Sequence, residues 1–270
     1  MATRVQTLIL ALGLVGFGPL ARADDIRVVV SGGAAAAYKE LAPVFERCSQ
    51  HRLLTEWGPS LGTTSGAIPQ RLDRGEPIDV VFMVRDGIEP LLSKGQLQPG
   101  SVIDIAHSKI AMAVRKGARV PDISSVKSFR RTLLAARSVA YSDSASGLYL
   151  AHELFKRLGI DRQMAAKSRE IKATPVGEVV ASGQYEIGFQ QYSELLPVAG
   201  IQIVGLLPAE LQKITVYSAA LVSGAVAVAG GRQLIDFLAS PLAAPPLRAS
   251  GLEPVGKQPY VCAAGAAKPE

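Results

Sequence analysis

The sequence predicts an α/β protein of two lobes, each a parallel-rich sheet with helices on both faces, joined by two hinge strands. Three observations lead there. Short β-branched runs alternate with longer stretches of helical period, the chain passes through this alternation twice, and no Pro/Ser-rich linker, repeat or heptad breaks it. A single larger doubly wound sheet is the alternative arrangement of the same elements.

The first set opens with a strand at 26–30, where Ile26 and three valines read as a buried run. A helix is expected over 34–47, then a strand at 53–57, a helix at 65–74 and a strand at 79–83. A helix over 86–94 stops at Gly95. The apolar run 109–114 is a further strand, and Gly117 and Pro121 mark a turn before a helix at 125–135. In the second set, strands at 139–141, 170–173, 187–190 and 201–205 alternate with helices at 146–158 and 176–182. A strand at 214–222 then leads to helices at 231–238 and 243–249. Crossings near 105–115 and 213–222 divide the chain into a first lobe of 24–106 with 216–254 and a second lobe of 107–215. The small, polar tail of 255–270 is expected to be mobile.

Residues 1–23 read as a cleavable signal peptide: Arg4 supplies positive charge, residues 5–20 are almost wholly apolar, and Ala21 and Ala23 flank the cleavage position. The apolar run holds three glycines and a proline and falls short of the roughly 20 residues of a spanning helix. Cleavage after Ala23 would deliver the chain to the periplasm, with no membrane insertion afterwards. The net charge of +6 loses Arg4 and Arg22 with the leader, leaving +4. That modest excess, with 6% aromatic residues and no basic cluster among them, argues against nucleic acid and fits a small anion. Cys48 and Cys262 would meet an oxidising compartment, which leaves a disulfide open. Neither has metal-ligand spacing around it, so no metal is expected.

In open α/β sheets, ligands lie beyond the carboxyl ends of strands, where helix N-termini offer free N–H groups. The first such junction is Ser31, Gly32 and Gly33; the second is a hydroxyl run, Thr63, Thr64 and Ser65, of which one should cap the next helix. Arg85 follows the third strand as a carboxylate clamp or a solvated surface residue. Ser146 and Gly147 start the helix after strand 139–141; Val176 and Gly177 start another; Gln191 ends strand 187–190. Each alone is matched by a turn or a cap, and it is their repetition at one end of several strands that points to an anion pocket. Of the histidines, His51 and His152 read as packing or surface residues, and only His107 stays as an acid or base candidate.

At these junctions the chain resembles the type II periplasmic binding proteins, in particular the molybdate-binding proteins of ABC transporters, over about 26–254. The resemblance rests on the run from Ile26 to Gly33, the hydroxyls before the run from Gln70 to Phe82, Ala145-Ser146-Gly147, and the run from Tyr185 to Phe189. It implies oxyanion contacts from Thr64 or Ser65, from Ser146 and from the Val176–Gly177 region. Gly33 stands where that family has its first serine, and Gln191 where it has a tyrosine. These departures suit a larger organic anion. The run from Tyr141 to Tyr149, with 176–180 and the run from Gly188 to Leu195, is similar to the exported aconitate isomerases, built on the same fold. That similarity implies a tricarboxylate ligand and an allylic proton shift without a cofactor. It leaves the base unassigned among Tyr149, Glu178 and His107. A non-enzymatic component of an ABC importer, working with a permease on molybdate or an organic acid, and a chemosensory binder remain open. A monomer is expected.

Overall fold

A computed structural model describes residues 23–172 and 174–262; the expected signal peptide, apart from Ala23, and the last eight residues of the tail lie outside them. In the first half, β1 (Asp25–Val30), β2 (Arg52–Trp57) and β3 (Val80–Val84) alternate with α1 (Gly32–Ser49), α2 (Ile68–Asp73) and α3 (Arg85–Ser93). Then β4 (Ile103–Ser108) and β5 (Ile110–Arg115) run almost without a break, and α4 (Val126–Ala135) follows. After β6 (Val139–Ser142), α5 (Ala145–Tyr149) passes through a π-helical turn at Leu150–Leu154 into α6 (Phe155–Arg157). Next come α7 (Asp161–Ala165), β7 (Ser168–Ile171), α8 (Val176–Ala181), β8 (Ile187–Gln191), the four-residue α9 (Tyr192–Leu195) and β9 (Ile201–Leu206). Finally β10 (Thr215–Leu221), α10 (Val228–Leu238), α11 (Ala244–Ala249) and β11 (Glu253–Pro254) close the chain.

Two sheets result. The first has the order β11-β4-β10-β3-β1-β2 and the second β7-β6-β8-β5-β9. Each is parallel where strand and helix alternate, β1 with β2 and β3 in one and β6 with β7 and β8 in the other. Each turns antiparallel where strands adjoining a crossing insert, β10 and β4 in the first and β5 and β9 in the second. The chain leaves the first sheet after Ser108 and re-enters it at Thr215. The expected single strand across 109–114 therefore has a partner before it, β4, set off by Lys109 alone.

Apolar patterning explains the layers. All five residues of β3 are buried, as are all five of β8, because each strand lies inside its sheet with helices on both faces. On α1, Ala34, Ala37, Tyr38, Leu41, Phe45 and Cys48 recur at three- and four-residue spacing and bury one stripe against β1 and β3. Each core cluster keeps to one sheet, except that Ala145 packs against the cluster on the first. The short α9 leaves the second sheet and rests on α1 of the first.

Two expectations change. The tail is held as far as Cys262: the Val255 and Gln258 N–H groups donate to Ile105 and Ala239 carbonyls, Tyr260 stacks edge-on against Phe237, and Cys262 is disulfide-bonded to Cys48 with Cα atoms 4.6 Å apart. The second helix starts at Ile68, with Ala67 as N-cap and no side-chain cap, so none of the three hydroxyls caps it. Pro69 explains the start, since its fixed φ and missing N–H suit the first turn of a helix.

Candidate active site

A cavity of about 600 Å³ opens where the strand ends of the two sheets face each other, a size that holds a small-molecule ligand. The first sheet contributes Ser31, Gly32 and Gly33 after β1, Trp57 at the end of β2 and residues 58–60, Thr64 and Gly66 beyond it, Val84 at the end of β3, and Tyr217 of β10. The second contributes residues 142–145 from the end of β6 to the start of α5, Thr174 and Pro175 before α8, Gln190 and Gln191 of β8, and Glu194 of α9. Among the described residues no Lys or Arg lines it, and Asp143 and Glu194 are its ionisable carboxyls.

At the first junction the sequence puts two glycines at the start of an eighteen-residue helix; the Ala34 N–H donates to the Ser31 carbonyl, while the Gly32 and Gly33 N–H groups before it have no intrahelical partners. The glycines admit neighbours. A Cβ at Gly32 would lie 2.7 Å from Glu194 Oε1, and one at Gly33 would overlap the Tyr217 hydroxyl. Ser31, 3% exposed, accepts no cap bond, and its Oγ is buried without a partner. Across the cavity Gln191 donates from Nε2 to Thr215 Oγ1 at 2.8 Å, while its Oε1 is buried and unpartnered. A hydroxyl can donate as well as accept. Turning the Gln191 amide over would keep the bond to Thr215 and present Nε2 to an anion.

Glu194 is intermediate in exposure, yet its Oε2 is sealed from solvent and has no hydrogen-bond partner. Burial pushes its carboxyl up to about 7, against hydrogen bonds from Gln190 and the Gln191 N–H that favour the charged form, and Asp143 adds to the rise. Burial also raises the Tyr217 phenol, with the Glu194 carboxylate adding to it. Ser60, 4% exposed, accepts the Val84 N–H and fixes the loop after β2.

The sequence-predicted residues divide. Ser31, Gly32, Gly33, Thr64 and Gln191 line the cavity. Ser65 is exposed beside it, its carbonyl accepting from Arg74. Arg85 is turned away: Glu89, one helical turn on, and Asp104 of β4 engage its guanidinium at 2.8 and 2.9 Å. Ser146 is fully buried and shares a hydrogen bond with Ser142 Oγ, and a Cβ at Gly147 would overlap the Ser142 carbonyl, so both hold helix against strand. The Val176 N–H donates to Gln190 Oε1, and Gly177 packs against Val198.

None of the three base candidates reaches the cavity. Tyr149 donates its hydroxyl to the Leu211 carbonyl within the second core. Glu178 is exposed on α8, and His107 lies on β4 in a separate groove with Lys109 and Arg248. His51 is buried, stacks on Phe45 and accepts the Asp24 N–H. Among the described residues no group of three or more His, Cys, Asp or Glu is placed to hold a metal ion.

Sequence reading passed over Tyr217 and Glu194. Alternation along β10 could have found the first, since Thr215 and Tyr217 share a strand face. The second required knowing that α9 is a single turn, which brings Glu194 back beneath Gln191.

Comparison with known proteins agrees with this architecture. The chain is 47% identical to an aconitate isomerase of a Pseudomonas species, covering 96% of this chain and all of that one. It is 26% identical to a molybdate-binding protein of Azotobacter vinelandii over 72% of this chain and 75% of the other. The solved periplasmic molybdate-binding protein of Azotobacter vinelandii superposes with a TM-score of 0.68 at 22% identity, covering 84% of this chain and 98% of that one. Residues 26–253 match the model of the bacterial extracellular solute-binding proteins, and this chain is a member of that family.

Proposed function

We propose that the protein is a periplasmic aconitate isomerase that interconverts trans- and cis-aconitate within a cleft for tricarboxylates. The observation that carries the reading is the 47% identity to the Pseudomonas aconitate isomerase along the whole of that chain. The site's chemistry supports it. The isomerisation removes a proton from a CH₂ group and returns one to the far end of an allylic unit, so negative charge must be held while it is delocalised. Ser31 Oγ, the first N–H groups of α1, the Tyr217 hydroxyl and a turned Gln191 amide surround the cavity with neutral donors. Such donors hold a desolvated anion without competing salt bridges.

The test is direct. Purified protein given trans-aconitate should form the cis isomer, and protein given the cis isomer should reach the same final ratio. Ser31→Ala should raise KM about tenfold, through loss of one hydrogen bond to a charged ligand. Arg85→Ala should change turnover less than about twofold, because its ion pairs are exposed and outside the cavity. Binding without turnover would reduce the protein to a solute carrier. Thermal stabilisation by molybdate but not by tricarboxylates would remove the ligand as well. The same reading places signal-peptide cleavage after Ala23 and a monomer in the periplasm. Asp24 would then begin the mature chain, with its nitrogen on His51 Nδ1 and its carbonyl accepting the Arg52 N–H. Intact mass and gel filtration of exported protein check both.

A further inference from the structure

We infer that Glu194 is the base of the reaction, taking the proton from the CH₂ of bound aconitate and returning it to the former vinylic carbon. This rests on the isomerase reading above and supplies what that reading lacks. Two carboxyls line the cavity, Asp143 and Glu194. They differ in placement. The Glu194 Oε1 lies against Gly32 at the start of α1, and its Oε2 is sealed without a partner. The first turn of α1 would bind a substrate carboxylate, so a CH₂ next to that carboxylate comes to rest beside Glu194.

The step balances with one group. The C–H bond breaks towards a Glu194 oxygen, its electron pair becomes the new double bond, and the old π pair moves to the distant carbon. The proton held by Glu194 then forms the new C–H bond at that carbon. Nothing is oxidised or reduced, and the base is regenerated. Tyr217, whose hydroxyl fills the space beside Gly33, donates to the charge that builds up between the two proton transfers.

The groups facing Glu194 set its working range. Gln190 and the Gln191 N–H come from β8, Asp143 from the loop after β6, Tyr217 from β10 and the helix N-terminus from α1. A carboxyl held near 7 is about half ionised at neutral pH and is a far stronger base than an exposed glutamate. A substrate carboxylate bound alongside raises it further, so the acid limb of kcat lies at higher pH than that of kcat/KM.

The experiment uses the full mature chain. Glu194→Gln should lower turnover by about 10²- to 10⁴-fold while trans-aconitate still raises its melting temperature. Glu194→Asp should retain more activity than Glu194→Gln. For the wild type, kcat/KM should climb about tenfold per pH unit below about 7 and level off above it, a limb absent from the residual activity of Glu194→Gln. Turnover of Glu194→Gln within threefold of an active wild type would overturn the assignment. A wild type that binds trans-aconitate and never isomerises it removes the isomerase reading and the base together. Should Glu194→Gln fail to fold, the wild-type limb and Glu194→Asp decide: a flat profile from pH 5 to 9 overturns the base.

Discussion

At the scale of single residues, Gly33 and Tyr217 form one unit. A serine at 33 would drive its Cβ into the Tyr217 hydroxyl. Gly33→Ser is therefore expected to lose about 1–3 kcal/mol of stability from overpacking and to bind trans-aconitate more weakly, as melting curves with and without ligand would report. Glu194 carries an opposite trade. Its folded-state carboxyl near 7 lies above the ordinary 4.5, so the folded chain holds the proton more tightly than the unfolded chain. The stability this contributes is full below about 4.5, falls between about 4.5 and 7, and is absent above. Glu194→Gln should then be more stable than wild type at pH 8, by up to about 3 kcal/mol, while the two converge near pH 4. Such residues were unequally legible. Ser31, Gly32 and Gly33 follow a strand and open a helix, which sequence displays. Arg85 shows why a charge at a strand end is weaker evidence: its fate was decided by Asp104, nineteen residues on, and by Glu89.

At the scale of elements, Asp79 shows how the strands are locked before any ligand binds. Its carboxylate, 2% exposed, accepts the N–H groups of Arg27 in β1 and of Val226 and Ala227 ahead of α10. Asp79→Ala leaves those donors without a partner inside the fold and should cost about 2–4 kcal/mol by denaturant titration, with the m-value unchanged. Element existence was legible wherever period and composition agreed, as in α1, β3 and β8. Boundaries were not. The helix expected from Ser65 starts at Ile68, because Pro69 fits a first turn and the hydroxyl run is spent in a bend that includes Gly62 at φ 104°. The separate strand β4 was hidden because Ser108 and Lys109 interrupt neither its extended backbone nor that of β5, and a change of sheet leaves no local mark.

At the scale of the whole molecule, two crossings join the sheets and a disulfide ties the tail to the first half. The bridge joins residues 214 apart and pins the far end of α1 to the last described residue. Reduction, or Cys48→Ser, should lower stability by about 2–4 kcal/mol without moving KM, since the other end of α1 is seated by Ser31 on Phe82. Two-sheet architecture was legible because the strand–helix alternation repeats, whereas the meeting of the sheets was not, because contacts such as Glu194 with Gly32 join distant segments. That meeting has a kinetic consequence. Glu194 belongs to the half built on the second sheet and Tyr217 to the half built on the first, so the two stand together only while α9 rests on α1. Were the halves to part, a bound molecule would depart in whichever isomeric form it then had. Carrier and catalyst are on this view two limits of one partition ratio, proton transfer against reopening, and a substitution far from the cavity that slows reopening would turn the molecule from the first towards the second.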